Sequence, residues 1–387
     1  MNYGASGRGE VHTTGSISIG TATLTITFTT TWSVGMGICI AGAGVGGANL
    51  ITKVTAISGN TFTLRDIAST SVTLSRIDHS DHEAIQDAIN ACIYPENSEL
   101  SNINGRVEIP GGIYNCYDSI HLGYGEIFRQ VYFLGAGSKY AGTYTFAGTA
   151  LVSKVGDRPL ICVNGARSTL VSNVCLLGIN RTWVESRGLG GLTGTYADRS
   201  VSDWIDTAVS SVYTNCNSRY APYAGIAIDP YAGSAPTPAY PDMTIPSWNS
   251  EQDQYGKAFS SSVHFRNVRS EGFVVGCVVQ PSGADGNGDY ITFENSHLNY
   301  NVYGISVGNS QARLMNFVNG TIDHNHTSST TATHGIQLGK PAFKFDNTEL
   351  GYCMQLFNYP TLSYGGCPEF NHCYGESIYR LGDGVVA

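Results

Sequence analysis

The chain has 387 residues, enough to bury a large core and to carry more than one module. Its 47 Gly and 23 Tyr, only 13% charged residues and abundant Thr, Ser, Val and Ile suit strands joined by tight turns and argue against a helix-rich protein. A net charge of −9 argues against phosphate-directed nucleic-acid binding, and no apolar run approaches the length of a membrane span.

The N-terminus MNYGASGRGE lacks the apolar core of a signal peptide, so export is expected by another route or inside an assembly. Residues 12–77 alternate Thr, Val and Ile (ATLTITF, NLITKVTAIS, NTFTLRD) between Gly-rich turns, the pattern of a small all-β insertion. The strong helix signal is SDHEAIQDAINACI, 80–93. Ser80 and Glu83 have capping-box spacing, and Ala84, Ile85, Ala88, Ile89 and Cys92 make an apolar stripe. GRVEIPGGIYN, 105–115, reads as a strand and turn.

Further along, one phrase repeats: HFRNV, TFENS, NFVNG, KFDNT and EFNHC. Their Phe residues stand at 265, 293, 317, 345 and 370, and Asn267, Asn295, Asn319, Asn347 and finally His372 follow two positions later. A second apolar stretch follows each: GCVVQ, GISVG, GIQLG, CMQLF and IYRLG. A period in the twenties built of short strands is a β-solenoid signature. Stacked coils would place Phe over Phe, and residues two apart on a strand share a face, so both Phe and Asn are expected inward. The expected inward column of the second strand is Cys277, Ile305, Ile336, Met354 and Tyr379. Arg266 is expected beside Glu294 on the outside.

NYGASGRGE, the 80–93 helix and the Pro-Gly-Gly-Ile-Tyr turn together resemble the start of the pectate-lyase-like β-helix superfamily. Arg8 replaces an Asp of that pattern, and His79-Ser80-Asp81-His82 stands where an Asp-Asp-Thr run is usual. With the β insertion and the stretches FLGAGSKYAG, NGARSTLVSN, YAGIAIDPY and NSQAR, the chain resembles bacteriophage tailspike and tail-fibre proteins of that superfamily. The resemblance implies an all-β, right-handed parallel β-helix with an N-terminal capping helix and a small inserted β domain. Residues 1–11 would start the cap, 12–77 form the insertion, 78–130 the capping helix and first coils, and 131–387 the β-helix, with a long Pro/aromatic loop at 231–262. It implies a homotrimer in a virion tail, made in the host cytoplasm. Its partners would be other tail proteins and a host-surface glycan, which it binds and either does or does not degrade. No cofactor, metal, nucleic acid or membrane insertion is expected. The alternatives are a free polysaccharide hydrolase or lyase and a purely structural spike.

Candidate chemistry is sparse. Glycoside hydrolysis needs two carboxyl groups flanking a groove, and Asp285 and Asp289 in SGADGNGDY are the best-placed pair, against a bland reading as a polar Gly-rich turn. Asp323, His324, His326 and His334 could hold a metal but read more simply as solvated loop residues. Tyr231, Tyr240, Trp248 and Tyr255, set among prolines, suit contact with a glycan or equally a covering of the solenoid. The ten cysteines sit largely in apolar runs and form no C-x-x-C pair. Only Cys367 and Cys373 flank a turn in a way that suggests a bridge.

Overall fold

The computed structural model describes residues 12–28, 31–93, 105–122, 131–140, 146–163 except 157, 168–178, 224–228, 262–279 except 274, 290–307 except 302, 315–323, 328–331, 343–358 and 369–383, with the single positions 5, 7 and 325.

The Thr/Val/Ile alternation of the first stretch closes into an antiparallel barrel. Its strands are β1 (His12–Ile17), β2 (Thr23–Ile26), β3 (Gly37–Ile40), β4 (Leu50–Ser58), β5 (Thr61–Leu64) and β6 (Val72–Ser80). They pair in the ring order β1-β2-β5-β4-β3-β6, so no strand edge is left open. Alternate residues point in: Leu24, Ile38, Ile40, Val54, Phe62 and Ile77 are all buried in one cluster.

Helix α1 (His82–Ile93) follows directly. It starts later than its sequence signal. Ser80 stays in β6, and Asp81 precedes the helix, its carbonyl accepting the Ile85 N–H at 3.1 Å. The Asp81 carboxylate turns away to accept the Asn115 N–H at 2.9 Å. The expected Ser80–Glu83 capping box therefore does not form. Glu83 is claimed by the barrel instead: Arg65 reaches it with two bonds of 2.6 and 3.1 Å, and Lys53 lies 3.7 Å away. Two charge-assisted bonds from a planar guanidinium outweigh one weak bond to the helix start. The apolar stripe behaves as the spacing predicts, with Ile85 and Ile89 buried in the core of the following solenoid and Ala88 and Cys92 at its margin.

The rest of the described chain is a stack of eight coils, each contributing to three parallel ladders. The first ladder runs Gly105–Ile109, Val131–Gly135, Leu170–Leu177, Val263–Glu271, Ile291–Glu294, Met315–Val318, Phe343–Asp346 and Glu369–Asn371. The second begins at Gly112–Cys116 and ends at Tyr374–Asp383, and the third begins at Ile120–Leu122. In the first ladder Val107, Phe133, Val171, Phe265, Phe293, Phe317, Phe345 and Phe370 stand in one register column. Successive rings from Phe265 to Phe370 are stacked 4.8, 4.9, 5.1 and 5.3 Å apart. The sheet spacing itself sets that distance.

The Asn residues of the repeat do not point inward. Asn267, Asn295, Asn319, Asn347 and His372 all have positive φ, between 47 and 54°. That left-handed residue bends the strand through a corner and breaks the period of two, so the side chain swings outside. Asn295, Asn319 and Asn347 are exposed. The amides still form a ladder: Asn267 Nδ2 donates to Asn173 Oδ1 and Asn347 Nδ2 to Asn319 Oδ1, each at 2.9 Å. The residue after the Asn takes the inner corner. There Ser296, Thr348 and Cys373 donate to the carbonyls of Phe265, Phe317 and Phe345, one coil below. Gly320 holds the same place because a Cβ would lie 2.3 Å from the Ser296 carbonyl oxygen. An inward Asn stack exists at a different corner. Asn325 Oδ1 accepts the Asn301 N–H at 3.0 Å, and Asn301 Oδ1 accepts the Phe273 N–H at 2.9 Å, with both Asn fully buried.

In the third ladder Cys277 pairs with Ile305 as expected, but Ile305 then pairs with Thr330 and Thr330 with Phe357. GIQLG at 335–339 lies outside the described residues, and the polar Ser-Ser-Thr-Thr, 328–331, with two β-branched threonines, fills that rung; apolarity alone misplaced the register. Arg266 stands beside Glu294 as expected, and His264 Nε2 also lies 3.0 Å from Glu294 Oε2. Cys373 is a free thiol, and Cys367 lies outside the described residues. Burial pushes the Cys162 thiol up to about 12, in keeping with a core cysteine that does no chemistry.

Candidate functional site

Asp285, Asp289, Tyr231, Tyr240, Trp248 and Tyr255 lie outside the described residues, as do His324, His326 and His334. Asp323 is described and is 4% exposed, beneath the surface. Among the described residues no group of three or more His, Cys, Asp or Glu is arranged to hold a metal ion.

What the described surface does offer is a groove of about 510 Å³ beside the outer Asn ladder. Ser138, Asn173, Asn267, Asn295, Arg269 and His297 line it. The left-handed corner explains its position: the bend sets the first and second ladders at an angle, and the outer amides stand along the fold. Arg269 and His297 come from the second ladder, in register with each other and then with Thr321, Glu349 and Tyr374. Each stands four residues after the Phe of its coil. The FxN repeat therefore contains this column, although its members share no side-chain chemistry that marks a site.

The electrostatics of the groove are nearly balanced. The single formal charge among its described lining residues is Arg269, whose Nε lies 3.5 Å from Oε1 of the buried Glu271. Burial and the neighbouring Arg269 hold the His297 imidazole down to about 4, against an opposing pull from Asp323. The ring is therefore neutral near pH 7, with Nδ1 2.8 Å from the Thr321 hydroxyl. Asn299 ties this hydroxyl in turn to the next coil, donating to it at 2.7 Å and accepting the Asp323 N–H at 3.1 Å. The lining thus consists of amides, a hydroxyl, a neutral imidazole and one opposed guanidinium. Such a set can donate and accept hydrogen bonds at several points. Among the described lining residues no carboxylate stands ready to serve as general acid or nucleophile.

A stack of parallel coils behind a small barrel defines the molecule as an all-β solenoid protein. No family model matches the sequence, and no curated protein matches it. Among solved structures, the catalytic domain of a GH87 alpha-1,3-glucanase in complex with nigerose overlaps at 14% identity and a TM-score of 0.35, covering 96% of this chain and 63% of that one. The catalytic unit of a thermostable GH87 alpha-1,3-glucanase from Streptomyces thermodiastaticus overlaps at 11% identity and a TM-score of 0.33, covering 98% and 61%. ORF18 of Geobacillus virus E2 overlaps at 10% identity and a TM-score of 0.32, covering 79% and 59%. The chain thus spans less than two thirds of the length of each of these structures.

Proposed function

We propose that the chain is a tailspike-like virion protein whose right-handed solenoid binds a host-surface polysaccharide, as a homotrimer joined to other tail proteins. The groove along the outer amide ladder carries the binding part of this reading. It is polar, open and built from equivalent positions on neighbouring coils, so it repeats in the direction in which a polymer repeats. The tailspike part is supported by the N-terminal Asn-Tyr-Gly-Ala, helix and Pro-Gly-Gly-Ile-Tyr motifs in combination with the β insertion at 12–77 and the stretches FLGAGSKYAG, NGARSTLVSN, YAGIAIDPY and NSQAR. Co-sedimentation of the purified chain with intact host cells and with their extracted polysaccharide tests it, alongside light scattering for three chains per particle. The expected outcome is saturable binding that free polysaccharide competes away, with new reducing or unsaturated ends appearing only if the chain also cleaves. Failure to bind cells and polysaccharide alike would overturn the reading.

A further inference from the structure

We infer that the groove takes an uncharged, polyhydroxylated sugar chain rather than a uronate- or sialate-bearing one, an inference that rests on the polysaccharide reading above.

The charge inventory is the first ground. An acidic glycan presents one carboxylate per repeating unit and needs a cation to meet each. Among the described lining residues only Arg269 is cationic, and the buried Glu271 already opposes it. His297 supplies no second positive charge near neutrality, because burial and Arg269 both resist its protonation. The chain as a whole carries −9, so an anionic polymer would also approach against a repulsive field.

The donor and acceptor pattern is the second ground. Asn173, Asn267 and Asn295 occupy the same corner of three successive coils, which places one amide every ~4.8 Å along the groove. Asn267 Nδ2 already donates to Asn173 Oδ1, so these amides offer a ligand the second N–H and second oxygen lone pair that the ladder leaves over, groups that sugar hydroxyls meet because each can both donate and accept. Ser138 adds a hydroxyl that acts either way, and His297, whose Nδ1 is engaged with the Thr321 hydroxyl, adds its Nε2. The described lining residues carry no large apolar side chain.

The corner geometry supplies a clean test. Asn295 is exposed and has φ 48°, a conformation that glycine adopts freely. Asn295→Gly therefore removes the amide while leaving the bend intact, and an unchanged melting temperature confirms the fold. Calorimetric titration would compare neutral hexose oligosaccharides with uronic-acid oligosaccharides of matched length, at low and high salt. The expected result is binding of a neutral oligosaccharide that varies little with salt, weakened about tenfold in Asn295→Gly. Tighter, steeply salt-dependent binding of the uronates would overturn the inference while leaving polysaccharide binding in place. So would unchanged affinity in a folded Asn295→Gly chain that still binds host polysaccharide. Absence of binding to any oligosaccharide and to intact polysaccharide would overturn both.

Discussion

Arg65 at the end of the barrel grips Glu83 in the first turn of α1 through two parallel bonds of 2.6 and 3.1 Å, across 18 residues of sequence. Glu83 is only 5% exposed, so the pair fixes the barrel against the helix, and through Ile85 and Ile89 against the first coils. Arg65→Met should cost about 1–3 kcal/mol, because it leaves a buried carboxylate with Lys53 as its remaining basic neighbour. Calorimetry should show the barrel melting at a lower temperature. A single unshifted transition would mean that apolar packing alone holds the junction.

The Phe stack predicts a steep contrast between neighbours. Phe293 is 2% exposed and lies between Phe265 and Phe317, so Phe293→Ala should cost about 3–5 kcal/mol in urea unfolding. Glu294→Ala, on the outer face of the same strand, should stay within about 1 kcal/mol. Similar losses at both positions would contradict the register.

The left-handed corners predict an inversion of the usual alanine-over-glycine order. Asn319 has φ 54°, so Asn319→Ala should be destabilised by about 1–2 kcal/mol through its Cβ, whereas Asn319→Gly should be close to wild type. Thermal melts of the two variants decide it. Alanine equalling or exceeding glycine would rule out a strained corner.

Acid should unfold the chain through its buried histidines. Burial holds His121 down to about 4, against the attraction of Asp118 and with His82 and Arg158 adding to the depression. An unfolded His at 6.5 takes a proton more readily, so the unfolded state binds more protons and native stability is lost as pH falls from about 6.5 towards 4. Asp118, whose carboxyl is held low chiefly by His82 and Arg158 against the cost of burial, pushes the same way at still lower pH. His121→Gln should flatten the upper part of that fall in chemical denaturation at stepped pH. An unaltered slope would place the sensitive group elsewhere.

The column of Phe residues was legible because one large ring recurs at nearly constant spacing. Its continuation to Val171, Phe133 and Val107 was not, since Val171 and Val107 carry a different side chain. Even there Asn173 keeps the corner, with φ 58°. The inward placement of the Asn failed because a period of two holds only while the backbone stays extended, and one left-handed residue reverses the faces. Barrel closure depended on pairings such as Ile38 with His79, which bring distant strands together and leave no local trace. The groove residues were hidden for another reason. Arg269 and His297 look unrelated in the sequence and become a pair only when coils are superposed Phe on Phe.

Two adjacent columns on this solenoid obey opposite rules. At the corner, Asn173, Asn267, Asn295, Asn319, Asn347 and His372 all adopt the left-handed backbone, so geometry restricts that position to a very small alphabet. Two residues further on, Cys175, Arg269, His297, Thr321, Glu349 and Tyr374 share one register and have nothing else in common. The fold therefore separates what must stay from what is free to change. A lineage under pressure to recognise a new surface could rewrite the second column rung by rung without disturbing how the chain bends.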